Sequence, residues 1–361
     1  MILSQIFFGW STFGHDEAIN FFLKSAQKNQ LPHANLIVGP SRVGKTTLAF
    51  DLACLINLYP DEEKSQDQII DIQKDDKAQR IIRGLNSDIR LFNIDTPYIL
   101  NGKKIVSKIN ISIEHIKNIK RETSIKPFES KSKVFIIQDC HNMTNEAANS
   151  FLKILEEPFE NNYFILTTDL IDQIPETIVS RCQLINLVRV NSNSISEMVE
   201  KKFNVNHEKS KTIARFSKGC PGWAISAVND EILLDSYNQL FSRIMDVISS
   251  SIEQRLNYSR KLSIQFRNNR NEVYAELDGW VDWFRDLALL KNQLGEYILF
   301  RENIFEYKKY LDQLRIEEIV SSINKIIYTR ENLEKNVSPN LALDVLILEL
   351  PYVNDHNINT E

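Results

Sequence analysis

The chain has 361 residues, of which 43% are apolar and 25% charged, with only 10 glycines and 10 prolines. This length exceeds one ordinary domain, and the composition is that of a mainly helical globular protein, which excludes a largely disordered chain. A net charge of −5 argues against a protein that clings to nucleic acid through its overall field, while leaving room for a local basic patch.

The first eight residues have neither a basic start nor a long apolar run, and no later stretch reaches the roughly 18 apolar residues of a membrane span. A cytoplasmic protein without a membrane partner is expected. From Gly14 to about Val190, helical stretches alternate with short apolar runs: Ala34–Val38, Ile89–Phe92, Val134–Ile137, Tyr163–Leu166 and Leu184–Leu187. Runs of this length, separated by helices, predict an α/β domain whose parallel sheet is covered on both faces. The polar stretch Asp61–Arg80 reads as a solvated insertion. From about Asn191 strand signals stop. Gly219-Cys220-Pro221-Gly222 is a turn that closes one helix and opens another, and helical spacing continues to the end. The expected organisation is an α/β domain over 1–190, a small helical lid over 191–235 and an all-helical domain over 236–361.

Gly39-Pro40-Ser41-Arg42-Val43-Gly44-Lys45-Thr46 fits the phosphate-loop pattern G-x-x-x-x-G-K-[ST]. It follows a strand ending at Val38 and precedes a segment of helical spacing, the context in which loop amides and a helix N-terminus attract phosphate. Gly39, Gly44, Lys45, Thr46 and Thr47 are therefore candidate nucleotide ligands. Lys45 would reach the outer phosphates and Thr46 would hold magnesium. The alternative is a loop kept for its shape after nucleotide binding was lost. The cysteines Cys54, Cys140, Cys182 and Cys220 form no C-x-x-C pair, so reduced thiols are expected and neither zinc nor disulfides.

Further segments resemble the clamp-loader branch of the AAA+ family, in order. Phe13–Ile19 and Leu31–Ala34 are similar to its opening, and Ala147–Pro158 to its A-A-N-A-L-L-K-x-L-E-E-P helix. Thr167-Thr168-Asp169 stands at the sensor-1 position, and Ser180-Arg181-Cys182 is similar to the S-R-C motif. The resemblance covers roughly the first 225 residues. It implies an AAA+ domain with lid and helical collar, and Thr168 beside the nucleotide. It also implies Arg181 as an arginine finger reaching a neighbouring subunit's ATP site. The alternative for Arg181 is a local role, pairing with a carboxylate of its own chain. The implied partners are γ/τ and δ subunits in a hetero-pentamer of the DNA polymerase III holoenzyme, with the sliding clamp and primed DNA.

Three departures point to the δ′-type members of that family over the ATP-hydrolysing γ/τ type. Gln138 and Asp139 stand where a magnesium aspartate and a catalytic glutamate are needed; in a register slipped by one residue, Asp139 would be the metal ligand and Cys140 would stand at the base position, which impairs hydrolysis equally. Gly222 stands where an active subunit has its sensor-2 arginine. ATP is thus the cofactor the loop implies, with weak or no magnesium, no zinc and impaired hydrolysis. No carboxylate set for nucleotidyl transfer is present. The rival readings are a γ/τ-type motor and a small-molecule P-loop kinase. In the C-terminal region Trp280, Trp283, Phe284 and Leu287 share one helical face, which reads as core or as subunit contact. Asn340–Leu348 has the same double reading.

Overall fold

A computed structural model of the chain describes residues 7–59, 70–100, 103–106, 110–335 and 337–353. It divides into two compact units, Met1–Ile225 and Ser226–Glu361. The first unit runs β1 (Phe7–Phe8), α1 (Asp16–Gln27), β2 (Ala34–Val38), α2 (Lys45–Leu58), β3 (Ile70–Asp71), α3 (Asp76–Ile82), β4 (Ile89–Phe92), β5 (Tyr98–Leu100), β6 (Lys103–Ile105) and α4 (Ile113–Thr123). It continues with β7 (Lys133–Ile137), α5 (Asn145–Glu156), β8 (Asn162–Thr168), α6 (Glu176–Val179), β9 (Gln183–Asn186), α7 (Ser192–Phe203) and α8 (His207–Phe216), and the unit boundary falls within α9 (Pro221–Asn229).

All five expected apolar runs become strands of one parallel sheet, in the order β4-β7-β8-β2-β9. Because side chains alternate along a strand, each strand feeds two cores. Ile37, Val134, Ile136 and Ile165 join Phe22 of α1 with Leu48 and Leu52 of α2 on one face. Leu36, Phe135, Ile137, Phe164 and Leu166 join Ile116 and Ile119 of α4 with Phe151 and Leu155 of α5 on the other. This is the two-sided cover that continuous apolar strands require.

The insertion after α2 differs in part from the expectation. Residues 60–69 lie outside the described residues. Beyond them the chain forms β3, which pairs with β1, and helix α3. Ile72, Ala78 and Ile81 are buried in the same core as α2, and the Asp75 side chain caps α3 through the Ala78 amide. A few apolar residues among many charges suffice to seat a short helix once a hydrophobic surface is beside it. Nearby, the buried carboxylate of Asp88 accepts the backbone N–H groups of Phe128, Glu129 and Ser130 at 2.8–3.0 Å. That staple fixes the loop leading into β7 and leaves Phe128 91% exposed.

The second unit is helical: α10 (Glu231–Ser249), α11 (Ile252–Asn268), α12 (Arg270–Lys291), α13 (Ile304–Leu311), α14 (Ile316–Glu334) and α15 (Pro339–Glu349). Trp280, Trp283, Phe284 and Leu287 of α12 are all fully buried, so the aromatic stripe is core. Two charged groups within this core are anchored by hydrogen bonds. The Arg255 guanidinium donates to the carbonyls of Ile347 and Leu350 at the end of α15. One Asp286 oxygen accepts the amides of Leu299 and Phe300 at 2.8 and 2.9 Å and the Tyr307 hydroxyl at 3.2 Å. Burial pushes the Asp286 carboxyl up to about 6 despite these donors. On α15, Leu343, Leu346 and Ile347 are buried while Leu341, Val345 and Leu348 are exposed, so the apolar run 340–348 has both an inner and an outer face. The polar tail from residue 354 lies outside the described residues.

Candidate functional site

The glycine-rich loop leaves the carboxyl end of β2 between β8 and β9, where neighbouring strand ends line a crevice, the usual ligand position in open α/β sheets. Gly39 donates its N–H to the Thr168 carbonyl at 3.1 Å, and an added Cβ there would sit 2.5 Å from the Leu187 carbonyl. Gly44, at φ +116°, forms the N-cap of α2 with open space beside it, a conformation that needs glycine. His15 contacts the Val43 carbonyl through Nε2 at 3.1 Å. Lys45 is 7% exposed, and its Nζ donates to the carbonyls of Gly39 and Pro40 at 2.7 and 2.9 Å. Burial lowers its pKa, opposed by the nearby carboxylates of Asp169 and Asp139. Thr46 is half-buried and Thr47 exposed in the first turn of α2.

The ends of β7 and β8 complete the crevice. Asp139 turns out of β7 at φ 50°, and its amide donates to Thr167 Oγ1 at 3.2 Å. Gln138 Nε2 lies 3.4 Å from Asp139 Oδ2. Thr168 is fully buried; its hydroxyl oxygen accepts the Leu170 amide at 3.0 Å and lies 3.0 Å from His141 Nδ1. Asp139, His141 and Asp169 each bring a ligand atom within 4.8 Å of the others. The sequence pattern pointed to Thr168 but gave no reason to join His141 to it, because that contact spans two strands.

Gly222, in the first turn of α9, has a role the sequence did not reveal. Its amide donates to the Arg42 carbonyl at 2.9 Å, and an added Cβ would lie 2.7 Å from that oxygen. The residue therefore does more than omit an arginine: it lets a helix sit directly on the phosphate loop.

Arg181 is apart from this crevice. It follows α6 and lies two residues before Gln183, which is level with Asn35 near the beginning of β2. The loop follows Val38, level with Asn186. Three residues of strand, about 10 Å at 3.3 Å per residue, therefore separate the two ends along the sheet. Arg181 pairs with Glu156, the last residue of α5, at 2.7 Å, and donates from Nη1 to the Thr177 carbonyl at 3.0 Å. Local pairing was one of the two readings of this arginine, and in the chain by itself it is satisfied; the side chain nonetheless stays 38% exposed.

A five-stranded parallel sheet in this order, with a phosphate loop at the carboxyl end of β2 and helices after β9, defines an AAA+-type α/β fold. A family model described as "DNA polymerase III, delta subunit" matches residues 14–191. The chain is 22% identical over 330 residues to the DNA polymerase III subunit delta′ of Bacillus subtilis, covering 90% of this chain and 93% of that protein. It is 24% identical to subunit tau of the same bacterium, over 90% of this chain and 58% of tau. It is 31% identical over 172 residues to subunit gamma/tau of Mycoplasma pneumoniae, over 48% of this chain and 22% of that protein. The chain thus spans less than two thirds of these tau and gamma/tau relatives. It is similar to the DNA polymerase III subunits of the clamp-loader family. Among the described residues no helix is long and apolar enough to cross a membrane.

Proposed function

We propose that this chain is a δ′-type clamp-loader subunit, which assists in placing a sliding clamp on primed DNA and supplies Arg181 in trans to a neighbour's ATP site. The observation that carries this reading is the separation of Arg181 from the chain's own phosphate loop along one sheet. A residue at the opposite end of the strands cannot complete its own loop, but as an exposed, permanently charged fork it suits the phosphates of an adjoining subunit. The crevice supports the same reading. Gln138 offers no charge to magnesium, Asp139 is a methylene shorter than a catalytic glutamate, and α9 is seated on the loop through Gly222. The intact loop is consistent with ATP binding and weak magnesium affinity, with little or no turnover. Its partners would be γ/τ and δ subunits in a cytoplasmic hetero-pentamer. The division into AAA+ domain (1–190), lid (191–235) and collar (236–361) belongs to this proposal.

The test is steady-state ATPase of the reconstituted loader with clamp and primed DNA, comparing the natural chain with Arg181→Ala, alongside turnover by the chain alone. The reading expects a loss of about 10³-fold or more, the scale of a missing arginine finger, and an inactive lone chain. An unchanged loader with a lone chain that turns over ATP would instead identify a γ/τ-type motor.

A further inference from the structure

Arg181 is held in a particular way, and the acid that holds it has no other assignment. Glu156 is the final residue of α5, where the helix dipole disfavours a carboxylate and favours a cation. The Arg181 guanidinium supplies that cation at 2.7 Å. The second anchor is the Thr177 carbonyl at 3.0 Å from Nη1, one turn earlier. A carboxylate and a carbonyl from two different elements, the end of α5 and helix α6, therefore hold one guanidinium. Around this pair the local backbone is fixed: Arg181 donates its own amide to the Ile178 carbonyl at 3.1 Å, and Ile178 is buried. At the end of α5, His33 Nε2 lies 3.3 Å from the Leu155 carbonyl, and Leu155 is buried. Both ends of the ion pair are thus rooted in the core while the charged groups face outward.

Resting on the trans-acting reading of Arg181, we propose that Glu156 is a positioning residue that orients this guanidinium toward a neighbouring subunit's nucleotide. An unheld arginine samples many rotamers, and the entropy of fixing it would be charged to the transition state. A side chain already gripped along one edge loses less on engaging phosphate. The charge of Glu156 carries the role, because the 2.7 Å contact is an ion pair, and a neutral amide in the same place would not hold the guanidinium in this way.

The experiment compares Glu156→Ala, Glu156→Gln, Arg181→Ala and the Glu156→Ala/Arg181→Ala pair in the reconstituted loader with clamp and primed DNA, measuring kcat and the KM for ATP. Glu156→Ala is expected to lower kcat about threefold to fivefold, the range of an exposed ion pair, with KM unchanged. Glu156→Gln, which removes the charge and keeps the shape, should lose about as much as Glu156→Ala, and adding Glu156→Ala to Arg181→Ala should cost nothing more. If Arg181→Ala abolishes activity while Glu156→Ala is silent, or if the two losses add, the positioning role is overturned and the trans-acting reading stands. If the glutamine keeps the natural kcat while the alanine loses it, the charge is not the operative group and the proposal fails. If Arg181→Ala itself is silent, both readings fall together.

Discussion

Gly222→Ala adds a single methyl group to the first turn of α9 and tests how tightly that helix is seated. The new carbon would lie 2.7 Å from the Arg42 carbonyl, where ordinary contact begins at 3.4 Å. The helix must retreat by about 0.7 Å, the difference of those distances. Neither side yields easily, since the obstacle is backbone on a residue already at φ 60°. Retreat stretches the Gly222 amide's bond to Arg42, worth about 1 kcal/mol, and overpacking adds about 1–3 kcal/mol. The sum, about 2–4 kcal/mol, corresponds to a fall in Tm of roughly 5–10 °C for a unit of this size. Differential scanning calorimetry at neutral pH measures it, with Gly295→Ala as reference, since a Cβ there meets only one ordinary contact at 3.5 Å. A Gly222→Ala Tm within about 1 °C of the natural chain would show that α9 rides loosely on the loop, and the argument from close approach would be wrong.

Two further perturbations probe buried carboxylates. The folded-state pKa of Asp286 is raised from 3.8 to about 6, so between these values the folded chain holds a proton that the unfolded chain has lost. Stability therefore falls as pH rises from about 4 to about 6 and levels off above. Asp286→Asn keeps an acceptor for Leu299, Phe300 and Tyr307 and should remove that slope; melting curves across this window that keep the same slope would contradict the assignment. Asp88→Ala leaves the amides of Phe128, Glu129 and Ser130 without their acceptor. It should cost about 2–3 kcal/mol in urea unfolding and speed hydrogen exchange at those three amides, and unchanged exchange there would refute the staple.

The strands were legible because their chemistry is local: continuous apolar runs bounded by turns can satisfy themselves only between two helical layers. The structure moves their ends by a residue or more, since β7 begins at Lys133 and β8 extends over Asn162–Thr168, where hydrogen bonding to a neighbour, not apolarity, decides membership. Helix α3 was hidden because two buried residues, Ala78 and Ile81, carry it amid charge. The phosphate loop could be read outright, as glycine spacing and the following helix are sequence properties. What sequence could not give were pairings across the fold. His141 meets Thr168 from the adjoining strand end, Asp88 reaches forward to the loop before β7, and Glu156 finds Arg181 after β8 has intervened. Gly222 was read as something missing, whereas its lack of a side chain makes a contact possible.

The Lys45 ammonium, resting on the Gly39 and Pro40 carbonyls, has a consequence for how any phosphate would be received. The loop acts as its own competing ligand, because an incoming anion must first draw the lysine from two oxygens that already neutralise much of its pull. If each such charged hydrogen bond is worth about 1.5 kcal/mol, the engaged state outweighs the free one by about 10²-fold, and measured affinity falls below intrinsic affinity by that fraction. Two chains with the same eight-residue pattern can therefore differ a hundredfold, to order of magnitude, in nucleotide affinity through the resting posture of one side chain.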